Sequence, residues 1–397
     1  MKYNFLIIGL VIGLVVGSVA VWFAKPPEIV EKVVEVPVGG EELEALQAEF
    51  EEYKESVGFH GANIGGGLAL PNQWVDTTKY AKDSPWKIGV SIPHAKGIPF
   101  LSLYVAEIMD EAKNYPITEV MVTYANDDLE KQMSDVRYLI ERGADLIILC
   151  PLGAGMKGIV EELYEEDYPI VIDWADPFTD KYVANTSVNN CLFGEYNALW
   201  LEEQINEKLG GEAKIIMMSA VEGYTNTVER DMKLEEMVER NPGIEIVAKD
   251  YGGYLASEAK KKMEDMLAAH PDFDAIWSTG GWMGSGCVDA LVEAGYDPSE
   301  ILMVGEWSIG FMRKIVNYDI PAHVSGHAPY TGRYSLQVAV NILRGMPVVH
   351  STIHPPGDYD REEIDMAIEK YGFLPDDAYV GSLISEEELR EILEEFM

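Results

Sequence analysis

Two hydrophobic patterns alternate along the chain from Trp86 onward. Short apolar runs of strand length are followed by stretches whose apolar positions recur every three or four residues, which is typical of amphipathic helices. The pattern predicts strands at 87–92, 119–123, 145–150, 169–173, 182–185, 213–219, 244–249, 275–279 and 302–306. It predicts helices at 103–113, 129–141, 158–166, 190–209, 228–239, 257–269 and 284–294.

Strand–helix alternation of this kind indicates parallel sheets that are covered by helices on both faces. The alternation stops and starts again near residue 190, and a single sheet of all these strands would be unusually wide. The expected fold is therefore α/β, with two doubly wound parallel-sheet lobes. An N-terminal membrane segment and a stalk are expected to precede them.

The N-terminal segment 5–24 contains twenty residues without a charge, FLIIGLVIGLVVGSVAVWFA. That length is enough for a helix to span a bilayer. A retained membrane anchor is the favoured interpretation, because the apolar stretch of a cleaved signal peptide is usually shorter, about 7–15 residues. The cleaved form remains the alternative. Either way, the rest of the chain is expected outside the cytoplasm.

A stalk is predicted over 26–85, beginning at Pro26-Pro27, which cannot continue a helix. Apolar residues at spacings of three and four follow, and they fit either one amphipathic helix or a short coiled-coil spacer. These residues are Leu43, Leu46, Phe50, Tyr53 and Val57.

The charge of the chain excludes one class of partner. Acidic residues outnumber basic ones 68 to 30, which gives a formal charge of −38. Such a surface repels phosphate backbones, so nucleic-acid binding is not expected. The odd count of 3 cysteines, widely spaced, argues against a disulfide framework.

Ligands of doubly wound sheets bind beyond the carboxyl ends of the strands. Three tryptophans, Trp174, Trp282 and Trp307, fall in such loops. Indole rings offer flat faces on which sugars stack and over which cations lie. The other polar or aromatic residues at predicted strand ends are Ser91, His94, Asn126, Asp173, Tyr224, Asn226 and Glu306.

An ordered set of short motifs spans about residues 86 to 350. The motifs are WKIGVS at 86–91, Pro99-Phe100, VRYLIERGADLIILCP at 136–151, PIVID at 169–173, VNNCLFG at 188–194, AAHPD at 268–272, AIWST at 275–279 and Val304-Gly305. Together they resemble the type I periplasmic binding proteins, especially the sugar-binding branch typified by ribose-binding protein.

The resemblance implies roles for particular residues. Asp173 matches the aspartate that accepts hydrogen bonds from sugar hydroxyls, and Asn126 and Phe100 lie at or near contact positions. Trp174 stands where ribose binders have an arginine. Val228 falls on a second arginine position of the family, and Arg230 follows two residues later. Gly280 and Trp307 replace an asparagine and an aspartate of the family. The solute thus stays open among ribose, a less hydroxylated or larger sugar, and a cationic solute. The complete candidate binding set is Ser91, His94, Phe100, Asn126, Asp173, Trp174, Asn190, Tyr224, Asn226, Arg230, Trp282, Glu306, Trp307 and His327.

The family resemblance also implies an organisation and a function. Three crossings, near Val188, Val324 and Arg344, would join the lobes as a hinge, and bound solute would favour their closed form. The expected partners are a small solute and an ABC transporter permease, with the membrane contacted through the N-terminal helix. The expected segments are the membrane segment 1–25, the stalk 26–85, a first lobe of 86–188 and 325–345, a second lobe of 189–324 and 346–360, and an acidic C-terminal tail 361–397.

Two rival functions remain open. The run GAGMKG at 153–158 is a literal G-x-G-x-x-G, and Asp173 lies 20 residues past Gly153, as in dinucleotide-binding enzymes. However, this run belongs to the third strand–helix unit of its lobe, whereas the fingerprint belongs to the first. The other rival is an anchored sensor that passes a signal to a receptor.

Signals for catalysis and for metal binding are weak. The sequence contains neither G-x-S-x-G nor H-E-x-x-H. His350 and His354 are four apart in a strand-like run, which separates them by roughly 13 Å and prevents them from sharing a metal. We therefore expect a binding protein without a cofactor or a metal, and not an enzyme.

Overall fold

The computed structural model describes residues 73–94 and 99–390. The strands are β1 Trp74–Val75, β2 Trp86–Ile92, β3 Ile117–Tyr124, β4 Leu146–Leu149, β5 Ile170–Ile172, β6 Ala184–Asn185, β7 Ala213–Ser219, β8 Ile244–Tyr251, β9 Ala275–Ser278, β10 Leu302–Glu306, β11 Ala322–Gly326, β12 Val348–Val349 and β13 Gly357–Tyr359. The helices are α1 Pro99–Ala112, α2 Leu129–Glu141, α3 Lys157–Glu165, α4 Asn190–Leu209, α5 Thr225–Arg240, α6 Ala256–Ala269, α7 Met283–Ala294, α8 Ile309–Tyr318, α9 Thr331–Leu343 and α10 Arg361–Tyr371.

The predicted membrane segment 1–25 and the stalk as far as residue 72 lie outside the described residues. Within residues 73–94 and 99–390, no helix has the length and the hydropathy needed to cross a membrane.

The first lobe is built on a parallel sheet in the order β3–β2–β4–β5–β6. Its central strand β4 is apolar and buried at every position, as expected for a strand covered on both faces. Ile88, Val90 and Ile148 face one layer of helices, whereas Ile147 and Leu149 face the other. This lobe is therefore doubly wound, as predicted.

The second lobe contains a sheet in the order β13–β11–β10–β9–β7–β8. Its strands are parallel except for the edge strand β13, which pairs antiparallel with β11. Apolar side chains again cover both faces, with Met218 and Met303 on one side and Met217 and Val304 on the other.

Local sequence signals fix the helix boundaries. Asp128 caps α2 by accepting a hydrogen bond from the Lys131 amide at 2.9 Å. Asn189 caps α4 in the same way at the Leu192 amide, and Gly210 ends that helix with a φ of 69°. The predicted bounds of α2, α4, β7 and β10 are confirmed.

The chain passes between the lobes at residues 186–189, 327–330 and 350–356. The first passage agrees with the crossing predicted near Val188. The third passage was expected near Arg344 but lies further along the chain. The reason is that β12 still pairs with β1 in the first lobe. The third passage runs beside the first passage, where Asn189 donates a backbone hydrogen bond to the His354 carbonyl at 2.9 Å.

The described part of the predicted acidic tail is folded onto the lobes. It contains α10, which begins with a capping box between Asp360 and Glu363. After α10, the side chains of Leu374, Ala378 and Val380 are buried in the core of the second lobe.

Candidate ligand-binding cavity between the lobes

A cavity of about 370 Å³ opens where the carboxyl ends of the two sheets face each other. The loop after β2 contributes His94, and the loop after β5 contributes Trp174. Opposite them, the loops after β7 and β9 contribute Tyr224 and Trp282, and β10 ends at Glu306. This is the place at which doubly wound sheets bind their ligands, and the volume suits a small solute.

Nine of the residues predicted from the sequence line this cavity. They come from both lobes and are His94, Phe100, Trp174, Tyr224, Asn226, Arg230, Trp282, Glu306 and His327.

Asp173, the residue matched to a sugar-binding aspartate, lies beneath the cavity wall rather than in it. Its fully buried carboxylate accepts hydrogen bonds from the Tyr104 and Ser335 hydroxyls, each at 2.6 Å, and from the Trp174 amide at 2.7 Å. Burial raises the pKa of Asp173 to about 7. The carboxylate is therefore occupied by protein donors and supports Trp174 from below.

Ser91 and Asn126 also lie outside the cavity lining. Ser91 is fully buried, with its hydroxyl 3.4 Å from the Gln132 amide nitrogen. Asn126 and Asp127 both have positive φ, 56° and 63°, and this turn places Asp127, not Asn126, on the cavity wall.

Trp307 is the most substantial correction. Its ring is 4% exposed and packs against Tyr359, with ring centroids 5.0 Å apart, over Gly326 and Gly357. It therefore belongs to the core of the second lobe. Its position directly after a strand end did not reveal that the ring turns inward.

Asn190 supports the cavity indirectly by holding Arg230. Its side-chain oxygen accepts a hydrogen bond from Nε of Arg230 at 2.9 Å. The Arg230 guanidinium also lies over the Phe193 ring, 3.9 Å from its centroid, and is 3.3 Å from the Glu306 carboxylate. Glu306 in turn accepts a hydrogen bond from the Gly281 amide. This buried ion pair fixes a polar end of the cavity.

Several buried polar atoms at the cavity have no hydrogen-bond partner in the part of the chain that the structure describes. These atoms are Nδ1 and Nε2 of His327, the side-chain oxygen of Asn226 and the indole nitrogen of Trp282. Burial and the nearby Arg230 hold the pKa of His327 well below its usual range, so the ring is neutral and offers one donor and one acceptor. Because unpaired buried polar groups are costly, these atoms are available for hydrogen bonds with a bound solute.

Aromatic rings form much of the remaining wall. Phe100 and Trp174 are in contact with ring centroids 5.0 Å apart, and Tyr224 and Tyr254 meet edge to face at 6.3 Å. Trp174 has a φ of 70°, a conformation that costs a non-glycine residue about 1–3 kcal/mol and concentrates at functional sites. The surrounding packing therefore holds this indole in a strained position at the cavity.

Sequence reasoning missed about half of the lining. Gly253, Tyr254 and Leu255 follow β8, so the strand-end rule could have found them. No sequence pattern marked Asp377 and Tyr379 as cavity residues. They follow no predicted strand and reach the cavity from the C-terminal segment. The full set of missed residues is Leu101, Asp127, Val188, Val221, Gly253, Tyr254, Leu255, Gly281, Asp377 and Tyr379.

The structure offers little support for the dinucleotide interpretation. Gly153 begins a short 3₁₀ helix that leads into α3, and the glycines of 153–158 do not line the cavity described above. Across residues 73–94 and 99–390, there is no group of three or more histidine, cysteine, aspartate or glutamate side chains that could hold a metal ion.

Comparison with known proteins gives a consistent result. Residues 88–347 match a family profile described as the periplasmic binding protein domain. The ribose import binding protein RbsB of Bacillus subtilis is 26% identical over 288 residues, which cover 72% of this chain and 90% of that protein. The xylitol-binding protein of Mycolicibacterium smegmatis is 23% identical over 253 residues, which cover 63% of this chain and 71% of that protein.

Among solved structures, the fructose-binding periplasmic domain of a hybrid two-component system superposes with a TM-score of 0.66. It is 24% identical, and the match covers 78% of this chain and 98% of that structure. At this level of identity the likeness concerns the fold.

Proposed function

The chain belongs to the periplasmic binding protein family, and on that premise we propose that it captures a sugar or polyol for an ABC importer. Its relatives are extracytoplasmic binding proteins rather than enzymes. The curated relatives named above bind ribose and xylitol, which are small polyhydroxy compounds.

The unpartnered buried atoms of His327, Asn226 and Trp282 are the observation that carries this proposal. A neutral imidazole, an amide oxygen and an indole N–H together offer donors and acceptors that match several hydroxyl groups. The flat rings of Trp174 and Phe100 complement the CH faces of a sugar or cyclitol. The Arg230–Glu306 pair supplies charge-assisted hydrogen bonds at one end.

A bound solute would also favour approach of the lobes. The cavity is lined from both sides, so only a conformation with the lobes together contacts the solute with its full complement of residues. The closed form would then be the one that docks on the permease.

A thermal-shift screen tests the proposal. Purified protein is heated with ribose, xylitol, fructose and myo-inositol, and in parallel with choline and glycine betaine. A solute at 100 times its dissociation constant stabilises the folded state by about 2.7 kcal/mol. We expect a shift with at least one neutral polyhydroxy compound. A shift with the quaternary amines alone would contradict the proposal and favour a cationic solute.

The partner and the membrane attachment need separate experiments. Cross-linking in cells should recover an ABC permease, and recovery of a sensor kinase instead would assign the protein to signalling. We further propose that residues 5–24 retain the protein at the membrane. Protein that stays in the membrane fraction after an alkaline wash supports this, whereas a mature N-terminus beyond residue 25 would show cleavage.

A further inference from the structure

The C-terminal strap, defined as residues 374–390, connects the two lobes outside the matched family region 88–347. Its first half belongs to the second lobe. There the Ala378 carbonyl accepts a hydrogen bond from the Ile309 amide at 2.9 Å, and the Asp376 carbonyl accepts one from the Gly310 amide at 2.7 Å. The strap therefore begins as part of the second lobe.

The second half of the strap lies on helix α1 of the first lobe. The Ser382 hydroxyl and the Leu383 amide, the latter at 2.7 Å, donate to the Glu107 carboxylate, which is 0% exposed. Beyond these bonds, apolar side chains of the strap and of α1 form a small separate cluster. Its members are Leu103, Ala106, Ile384 and Leu389.

Between its two halves the strap crosses the passage at 327–330. It does so at Gly381, which has a φ of 91° and lies so close to Ala328 that a β-carbon would come within 2.5 Å of the alanine methyl group. Only glycine meets both requirements. The crossing is therefore a fixed part of the fold.

The strap also forms one wall of the cavity. Asp377 and Tyr379 line it, and the Tyr379 ring meets Phe100 of α1 edge to face, with centroids 5.1 Å apart. The same helix contributes Phe100 and Leu101 to the cavity. Movement of the first lobe away from the second would pull α1 off the strap.

We propose that the C-terminal strap controls access to the cavity, and that its contacts with α1 must break before the lobes can separate. The strap would thus be a further connection between the lobes, besides the passages at 186–189, 327–330 and 350–356. The contacts that break are the hydrogen bonds to Glu107 and the apolar contacts of Ile384 and Leu389. The proposal concerns access and does not depend on which solute is bound.

Thiol labelling of the cavity tests this in the full-length chain without any solute. Asn226→Cys places a thiol at a buried position of the lining, and its rate of reaction with dithionitrobenzoate reports opening. The native cysteines Cys150, Cys191 and Cys287 are buried, so the chain without the new thiol measures background labelling and global unfolding.

The strap is then weakened in the Asn226→Cys background. The double variant Ile384→Ala/Leu389→Ala removes its apolar contacts with α1, and we expect the new thiol to react at least about fivefold faster. The matched control is Leu383→Ala, on the same segment but 66% exposed, which should leave the rate within about twofold. Equal rates in the double variant and the control would overturn the proposal.

A milder variant covers the case in which the double variant does not fold. Ser382→Ala removes one donor to Glu107 and should raise the labelling rate about threefold, because hydrogen bonds to charged groups are the stronger ones. An unchanged rate in folded Ser382→Ala protein would equally reject the proposal.

Discussion

Buried polar side chains near the cavity fall into two groups. The carboxylate oxygens of Asp173 accept hydrogen bonds from Tyr104, Ser335 and the Trp174 amide. This side chain therefore stabilises the wall of the cavity. His327 has neither ring nitrogen paired within the described residues, so it is available to a guest. Both are polar residues near strand ends, and only their partners tell them apart.

The raised pKa of Asp173 predicts a pH dependence of stability. Its pKa is 3.8 in its ordinary state and about 7 in the fold, so the folded state holds this proton more tightly than the unfolded state. Protonated Asp173 should therefore contribute to the free energy of unfolding. This contribution is fully present below about pH 4 and is lost as the pH rises through about 7.

Asp173→Asn should remove that contribution. Urea unfolding of the parent and the variant at pH 4.5 and 7.5 measures it, and we expect the parent to lose at least about 1 kcal/mol more than the variant over this interval. Parallel changes in the two proteins would show that Asp173 does not titrate in this range.

Two tryptophans provide a paired test of the binding assignment. Trp282 lines the cavity, whereas Trp307 is packed in the core of the second lobe. Within the described residues the indole nitrogens of both lack a hydrogen-bond partner, so their positions distinguish them. Trp282→Ala should therefore abolish the thermal shift given by the best solute of the screen.

Trp307→Phe is the matched variant for this test. It should lower the melting temperature, through a loss of about 1–3 kcal/mol, but keep the shift. Retention of the shift in Trp282→Ala, or its loss in folded Trp307→Phe protein, would contradict the cavity lining.

At the scale of elements, close packing of helices in the second lobe depends on glycine. Gly286 of α7 lies against the backbone of α6, where a β-carbon would be 2.0 Å from the Ala256 carbonyl oxygen. Gly158 of α3, by contrast, is exposed and has no atom within 4 Å of that position.

Alanine at these two positions should have opposite effects. Gly286→Ala forces the two helices apart and should destabilise the protein by about 1–3 kcal/mol. Gly158→Ala should stabilise it by a few tenths of a kcal/mol up to about 1 kcal/mol, because alanine favours the helix. Chemical denaturation measures both, and equal effects of the two substitutions would contradict the α6–α7 contact.

Element prediction succeeded where the signal was local. The bounds of α4 follow from Asn189 at its N-terminus and Gly210 at its C-terminus, and β10 follows from a continuous apolar run. The strands β1, β11, β12 and β13 were missed. β1, β12 and β13 are pairs or triplets of residues, which carry no periodicity and form only through their distant partners. β11 reads AHVSG, and its polar residues interrupt the apolar run that marks a buried strand.

At the scale of the whole molecule, the cavity is assembled from distant parts of the chain. His94 and Tyr379 both line it, although they are 285 positions apart in the sequence. If the lobes close on a solute, the molecule should become more compact.

Small-angle scattering checks this expectation. Saturation with the best solute of the screen should lower the radius of gyration, as expected for hinge closure. The Trp282→Ala variant at the same solute concentration serves as the control and should show no change. A constant radius in the saturated parent would mean that binding occurs without lobe movement.

The sequence by itself determined the α/β class, the two successive sheets and the strand ends near which six of the cavity residues lie, namely His94, Trp174, Tyr224, Asn226, Trp282 and Glu306. It could do so because periodicity, capping residues and apolar runs are properties of neighbouring positions. The tertiary structure alone decided that Asp173 and Trp307 turn away from the cavity and that Asp377 and Tyr379 enter it. The direction of a side chain after a strand, and the path of a C-terminal segment, depend on contacts with residues far away in the chain.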